Sequence, residues 1–230
     1  MHSTLIPITL LITLLLAPLN AQGEQVSKEG RFTFSCLSFE KSSFDELFYL
    51  DGREYVPLEL RPRRRSQEYT LRASKAFGLF TKVKNEEGKR VFKLVGKCDL
   101  PAGQQKLLLL LEFRDTEKVD ELPVVIQALS DSLAEFPPGS FRFANFTGKN
   151  LYVDIAGGVQ KLVRNQLTTI PVETSQEGGF VPVTFGDAKG KKLFFTRMYL
   201  HGRSRELVFI KASGNLQRPL SLTFVPQNIR

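Results

Sequence analysis

Between Phe141 and Val172 the chain offers only short apolar runs, each too brief for a helix that must bury a face: Phe141–Phe146, Leu151–Ile155, Val159–Val163 and Leu167–Val172. The intervening pieces, Thr147-Gly148-Lys149-Asn150, Ala156-Gly157-Gly158 and Arg164-Asn165-Gln166, are rich in residues that tolerate positive φ or bond their own backbone. This punctuation predicts a β-meander. Beyond it, Phe180–Phe185, Lys192–Leu200, Glu206–Ile210 and Leu220–Val225 continue the pattern, so the second half reads as an immunoglobulin-like sandwich or a small barrel.

The first half carries the same period. Phe32, Phe34 and Cys36 alternate with Arg31, Thr33 and Ser35, as a half-buried strand requires. Ser43 with Glu46 three residues on reads as the cap of a short helical turn. Asp51-Gly52 predicts a hairpin whose returning arm, Glu54–Leu60, sits at a sheet edge because Pro57 cannot donate. Extended segments follow at Tyr69–Ala73, Ala76–Val83, Val91–Gly96, Gln105–Phe113 and Val124–Ala128. Leu107–Leu111 is five consecutive leucines, the signature of a strand covered on both faces. Ser130–Glu135 reads as a helical turn. The expected fold class is therefore all-β: two small β-sandwich (immunoglobulin-like) lobes in tandem.

Charge places the boundary. Residues 24–137 hold 19 Lys plus Arg against 19 Asp plus Glu, whereas residues 138–230 hold 13 against 5. The whole excess of +8 lies after Pro137-Pro138-Gly139. Residues 1–23 read as a signal peptide, apolar from Leu5 to Leu19 and ending in small residues at Ala21 and Gly23; an uncleaved anchor is the alternative. The organisation expected is thus a leader (1–23), an N-terminal β-rich lobe (24–137) and a C-terminal basic lobe (138–230), periplasmic or secreted, with no transmembrane span after leader removal. In an oxidising compartment the two cysteines, Cys36 and Cys98, are expected to form a disulfide.

Catalytic patterns are absent. Apart from His2 in the leader, His201 is the only histidine, and it stands in a Gly-Arg turn rather than beside a nucleophile. No nucleotide-binding or zinc-protease motif occurs, and the ligands for a zinc site are too few. No cofactor is expected. Asp154, between Val153 and Ile155, alternates as a solvent-facing strand residue does. Asn145-Phe146-Thr147 matches a glycosylation acceptor, although an Asn closing a strand explains it equally well. The candidate anion-binding residues are basic clusters: Arg61, Arg63, Arg64 and Arg65 in one loop, Lys189, Lys191 and Lys192 in one turn, and Arg203 and Arg205 in another. The last two clusters end the strand Lys192–Leu200 and should lie roughly 25–30 Å apart at about 3.3 Å per residue.

The segments Phe32–Cys36, Leu47–Gly52, Leu107–Phe113, Phe136–Asn145 and Arg205–Ile210, in that order, resemble uncharacterised exported proteins of Verrucomicrobia and Planctomycetes type. The resemblance implies an exported β protein without catalytic hallmarks and assigns no site residues. The expected function is a non-catalytic binding or structural role in the cell envelope, with an anionic envelope polymer or another envelope protein as partner and no nucleic acid. The alternatives are an extracytoplasmic hydrolase with a carboxylate-based site between the lobes, and an accessory subunit that adds a strand to a partner.

Overall fold

A computed structural model describes residues 30–72, 74–115, 121–173 and 176–229; the expected leader, residues 1–23, lies outside the described residues. Residues from Arg31 onward form one compact all-β unit. Its first eight strands are β1 (Arg31–Ser38), β2 (Leu47–Asp51), β3 (Glu54–Leu58), β4 (Tyr69–Arg72), β5 (Ala76–Lys84), β6 (Arg90–Asp99), β7 (Lys106–Phe113) and β8 (Val124–Ser130). They make one sheet in the order β3-β2-β5-β6-β8-β7-β1-β4.

That sheet rolls over until its ends meet, so the two layers of the first lobe belong to one sheet. Phe34 on β1, next to one end, touches Tyr49 on β2, next to the other, with ring centroids 5.0 Å apart, and Phe77 on β5 at 5.2 Å. Side chains bridge the gap where no ladder forms. The Tyr69 hydroxyl accepts from the Glu59 amide (2.8 Å), the Tyr49 hydroxyl donates to the Thr70 carbonyl (3.3 Å), and Asp51 Oδ1 accepts from the Arg72 amide (2.9 Å). Close approach of β6 to β8 depends on Gly96, where a Cβ would stand 2.9 Å from the Val124 carbonyl oxygen. The Asp51-Gly52 hairpin forms with Gly52 at φ 65, and β3, which contains Pro57, is an edge strand.

The remaining strands are β9 (Ser140–Phe146), β10 (Leu151–Ile155), β11 (Gly158–Leu162), β12 (Leu167–Pro171), β13 (Gly179–Gly186), β14 (Lys192–Leu200), β15 (Ser204–Asn215) and β16 (Arg218–Asn228). They form two four-stranded sheets, β11-β10-β13-β14 and β12-β9-β15-β16, around a core that includes Phe141, Phe143, Val153, Val183, Phe185 and Val208. The four strands expected as a meander are present, but their pairing is not a meander. β9 and β12 pair in one sheet while the β10–β11 hairpin belongs to the other. Asn145 explains the crossing: fully buried, its Nδ2 donates to the carbonyls of Lys149 (2.8 Å) and Leu162 (2.9 Å), satisfying both corners where the chain changes sheets. This structural use takes Asn145 out of reach as a glycosylation acceptor.

The five leucines of β7 are buried, and they divide by face. Leu107, Leu109 and Leu111 enter the core of the rolled sheet, while Leu108 and Leu110 join Leu37 and Leu129 on its outer side. There they meet Phe136 from the connection and Ala144, Leu207, Phe209 and Val225 from the second half. Strand alternation in β9 and β15 does the same for the second lobe, sending Phe143 and Val208 inward and Ala144 and Leu207 to this joint core. The expected helical turn at Ser43 is replaced by a side-chain turn, in which Ser42 Oγ accepts from the Phe44 amide (3.0 Å). Near Ser130–Glu135, β8 runs on to Ser130 and a single turn follows, closed by the Phe136 amide on the Ser132 carbonyl (2.9 Å).

Candidate functional site

Two of the residues expected on anion-binding surfaces, Arg65 and Arg205, are turned inward. Both bind Asp131: Arg65 Nη1 lies 2.8 Å from Oδ2 and Arg205 Nη2 lies 2.9 Å from Oδ1, with the Arg205 side chain 1% exposed. Arg205 also donates to the Phe136 and Asp131 carbonyls (2.6 and 3.1 Å) and to Gln227 Oε1 (2.7 Å). Arg142 donates to the Ser130 carbonyl and to Thr169 Oγ1 (2.9 Å). The Phe136 ring packs against both guanidiniums, 4.4 Å from the Arg142 Cζ and 4.6 Å from the Arg205 Cζ. Burial lowers the Arg205 pKa to about 10 against the opposing pull of Asp131, so Arg205 is still cationic at neutral pH. Burial lowers that of Arg142 as well.

This cluster joins the lobes and is not open to a ligand. Arg65 comes from the loop beside β1, Asp131 follows β8, and Arg142 and Arg205 stand on β9 and β15. Sequence reading placed Arg205 in the turn after Gly202. Its true position is one residue into a strand buried on both faces, so it points to the same side as Leu207 and Phe209. Arg61, Arg63 and Arg64 remain exposed, as does Arg203. His201 serves its turn, with Nδ1 accepting from the Arg203 amide (3.0 Å).

The expected disulfide is not formed: Cys36 and Cys98 are both free. Cys36 lies on β1 and Cys98 on β6, with β7 and β8 between them in the sheet order, so no ladder brings the two into register. Both thiols belong instead to the apolar interior of the rolled sheet, where burial raises the pKa of Cys98 to about 11 and that of Cys36 further. Thiol titration of protein prepared without reductant, carried out in denaturant, is expected to find two free thiols per chain; a value near zero would contradict this geometry.

The lysine turn lies beside an open sheet face. Sheet β11-β10-β13-β14 puts one face into the core and leaves the other in solvent, where Phe180, Tyr199 and Phe195 are 71%, 51% and 48% exposed. Cross-strand register pairs Phe180 with Tyr199, Pro182 with Arg197 and Thr184 with Phe195. Asp154, in line with Thr184 and Val159, stands on the same face. The aromatic end is fixed in place: the Tyr199 hydroxyl donates to the Glu177 carbonyl (2.9 Å) and the ring lies over Gly178, where a Cβ would come within 2.6 Å of the hydroxyl. Phe180 meets Tyr199 edge-on at 5.4 Å.

At the other end, Lys192 Nζ sits 4.8 Å from the Phe195 centroid. Asp187 Oδ1 holds the lysine turn by accepting the amides of Lys189 and Lys191, both at 2.9 Å. Because Gly186 has no side chain, a concavity of about 500 Å³ opens there, bordered by Tyr152, Asp154, Thr184 and Lys192. Sequence reading found the lysines but missed the aromatic row. The available signal was the apolar residues falling on both parities of Phe180–Phe185 and Lys192–Leu200.

A second depression, of about 630 Å³, lies on the first sheet and is lined by Asp45, Glu46 and Glu121 together with Lys82, Lys84 and Arg90. Lys82 Nζ is 3.9 Å from Glu46 Oε2 and 4.6 Å from the Phe48 ring centroid. This depression lies within the first sheet, not between the lobes. Among the described residues no group of three or more His, Cys, Asp or Glu is arranged to hold a metal ion. Compared with known proteins, the chain matches no family model and no curated protein.

Proposed function

We propose that this is an exported, non-catalytic binding protein of the cell envelope, and that it holds its ligand on the open face of sheet β11-β10-β13-β14. The carrying observation is the exposure of three aromatic rings, Phe180, Phe195 and Tyr199, on one sheet face around Arg197. A solvated sheet face normally carries small and polar side chains, and a rigid, exposed aromatic row marks an interaction surface. Export is supported by the apolar stretch Leu5–Leu19, and an anionic partner by the +8 excess after Pro137.

The test is retention of the purified protein on isolated envelope fractions, at low and at physiological salt. Retention is expected at both, and the Phe180→Ala/Phe195→Ala/Tyr199→Ala variant is expected to lose most of it with unchanged thermal stability. Retention that is indifferent to these substitutions would move the site elsewhere on the molecule, and no retention at either salt would remove the envelope role.

A further inference from the structure

We infer that the ligand of this face is an acidic glycan whose negative charges are widely spaced, a proposal that rests on the binding role assigned to the face above. Phe195 and Tyr199 are four residues apart on β14, about 13 Å along the strand, and Arg197 stands between them on the same side. A linear chain lying along β14 thus meets a ring, a guanidinium and a second ring in turn. Flat apolar rings of this kind suit the C–H faces of sugar rings, and Arg is the residue suited to a carboxylate in bidentate contact.

The rest of the face narrows the chemistry. Asp154 stands exposed in the same cross-strand row as Thr184 and Phe195, at the border of the concavity opened by Gly186. A carboxylate there accepts hydrogen bonds from hydroxyl groups and opposes a densely charged phosphate chain more than a sparsely charged one. Single nucleic-acid strands carry a charge about every 3.4 Å, whereas this row of about 13 Å offers two cations, Arg197 between the rings and Lys192 at its Phe195 end. The cation density therefore matches a polymer with one carboxylate per disaccharide. Lys192, held over the Phe195 ring, receives the next carboxylate along.

Hyaluronan, with one uronate per disaccharide, is the probe; its methyl-esterified form supplies the same backbone without charge, and oligo-dT supplies the competing polymer class. By titration calorimetry the protein is expected to bind hyaluronan at least about tenfold more tightly than the ester or oligo-dT. Tyr199→Ala and Arg197→Gln are each expected to weaken binding by about tenfold. Asp154→Asn, which keeps an oxygen acceptor for hydroxyl groups but removes the charge, should narrow the preference for hyaluronan over oligo-dT; an unchanged preference overturns the reading of Asp154. Equal affinity for acid and ester overturns the reading of Arg197, and preference for oligo-dT overturns the glycan class. Envelope retention that depends on Phe180, Phe195 and Tyr199 without hyaluronan binding sinks this inference while leaving the envelope role intact. Loss of that dependence sinks both.

Discussion

Replacing Asp131 by asparagine is expected to lower the free energy of unfolding by about 3–5 kcal/mol, the cost of removing one partner from a buried ion pair. Asp131 is the anion between two guanidiniums, Arg65 at 2.8 Å and Arg205 at 2.9 Å, and Arg142 packs against the Phe136 ring that also contacts Arg205. Without its charge, the two guanidiniums that pair with it keep only neutral acceptors in a desolvated joint, with Arg142 a third cation nearby. Asparagine keeps the shape and the backbone bonds, so the loss reports charge rather than a cavity. Urea unfolding with an unchanged m-value is the measurement. Arg205→Met should cost a similar amount, because the Asp131 carboxylate, Gln227 and the Phe136 and Asp131 carbonyls all lose a donor, and the Asp131→Asn/Arg205→Met double variant should cost clearly less than the sum. A loss under about 1 kcal/mol for Asp131→Asn would mean that water already screens the cluster.

The legibility of this fold in its sequence follows from what alternation can and cannot encode. Period two located the strands, and the five leucines of β7 correctly announced a strand with no solvent face. Partner choice was hidden. The short loop at Thr147-Gly148 is compatible with a hairpin, and only the buried Asn145 amide, bonding Lys149 and Leu162, determines that the chain crosses to the other sheet. In sequence the same Asn looks like a surface acceptor. Arg205 was misplaced for a related reason. A charged residue after a Gly turn reads as exposed unless its anion is known, and Asp131 lies 74 positions earlier. Cys36 and Cys98 failed as a pair because a cysteine count carries no pairing information, and the strands that hold them are not neighbours in the sheet. On the candidate site, the lysines of the turn were visible as a charge cluster. The aromatic row was not, because Phe180, Phe195 and Tyr199 look like core until the sheet's second face proves to be uncovered.

Glu206 gives the second large effect, and its sign is opposite to that of an ion-paired acid. It shares a face of β15 with Val208 and Ile210, between Phe141 on β9 and Pro226 on β16, and its side chain makes no hydrogen bond among the described residues. Burial alone raises its pKa from 4.5 to about 7. The folded state therefore holds a proton that the unfolded chain releases above its ordinary carboxylate range. The sign follows by linkage: stability from this group is intact below pH 4.5 and falls as pH rises through 7, by a total on the order of 3 kcal/mol. Other carboxylates contribute slopes of their own, so the informative quantity is the difference between Glu206→Gln and the parent. Glutamine mimics the protonated acid, and the difference should be small at pH 5 and grow to a stabilisation of about 2–3 kcal/mol at pH 8. A difference that does not vary between those pH values would show that the Glu206 carboxylate reaches water in the folded protein and titrates there as it does in the unfolded chain.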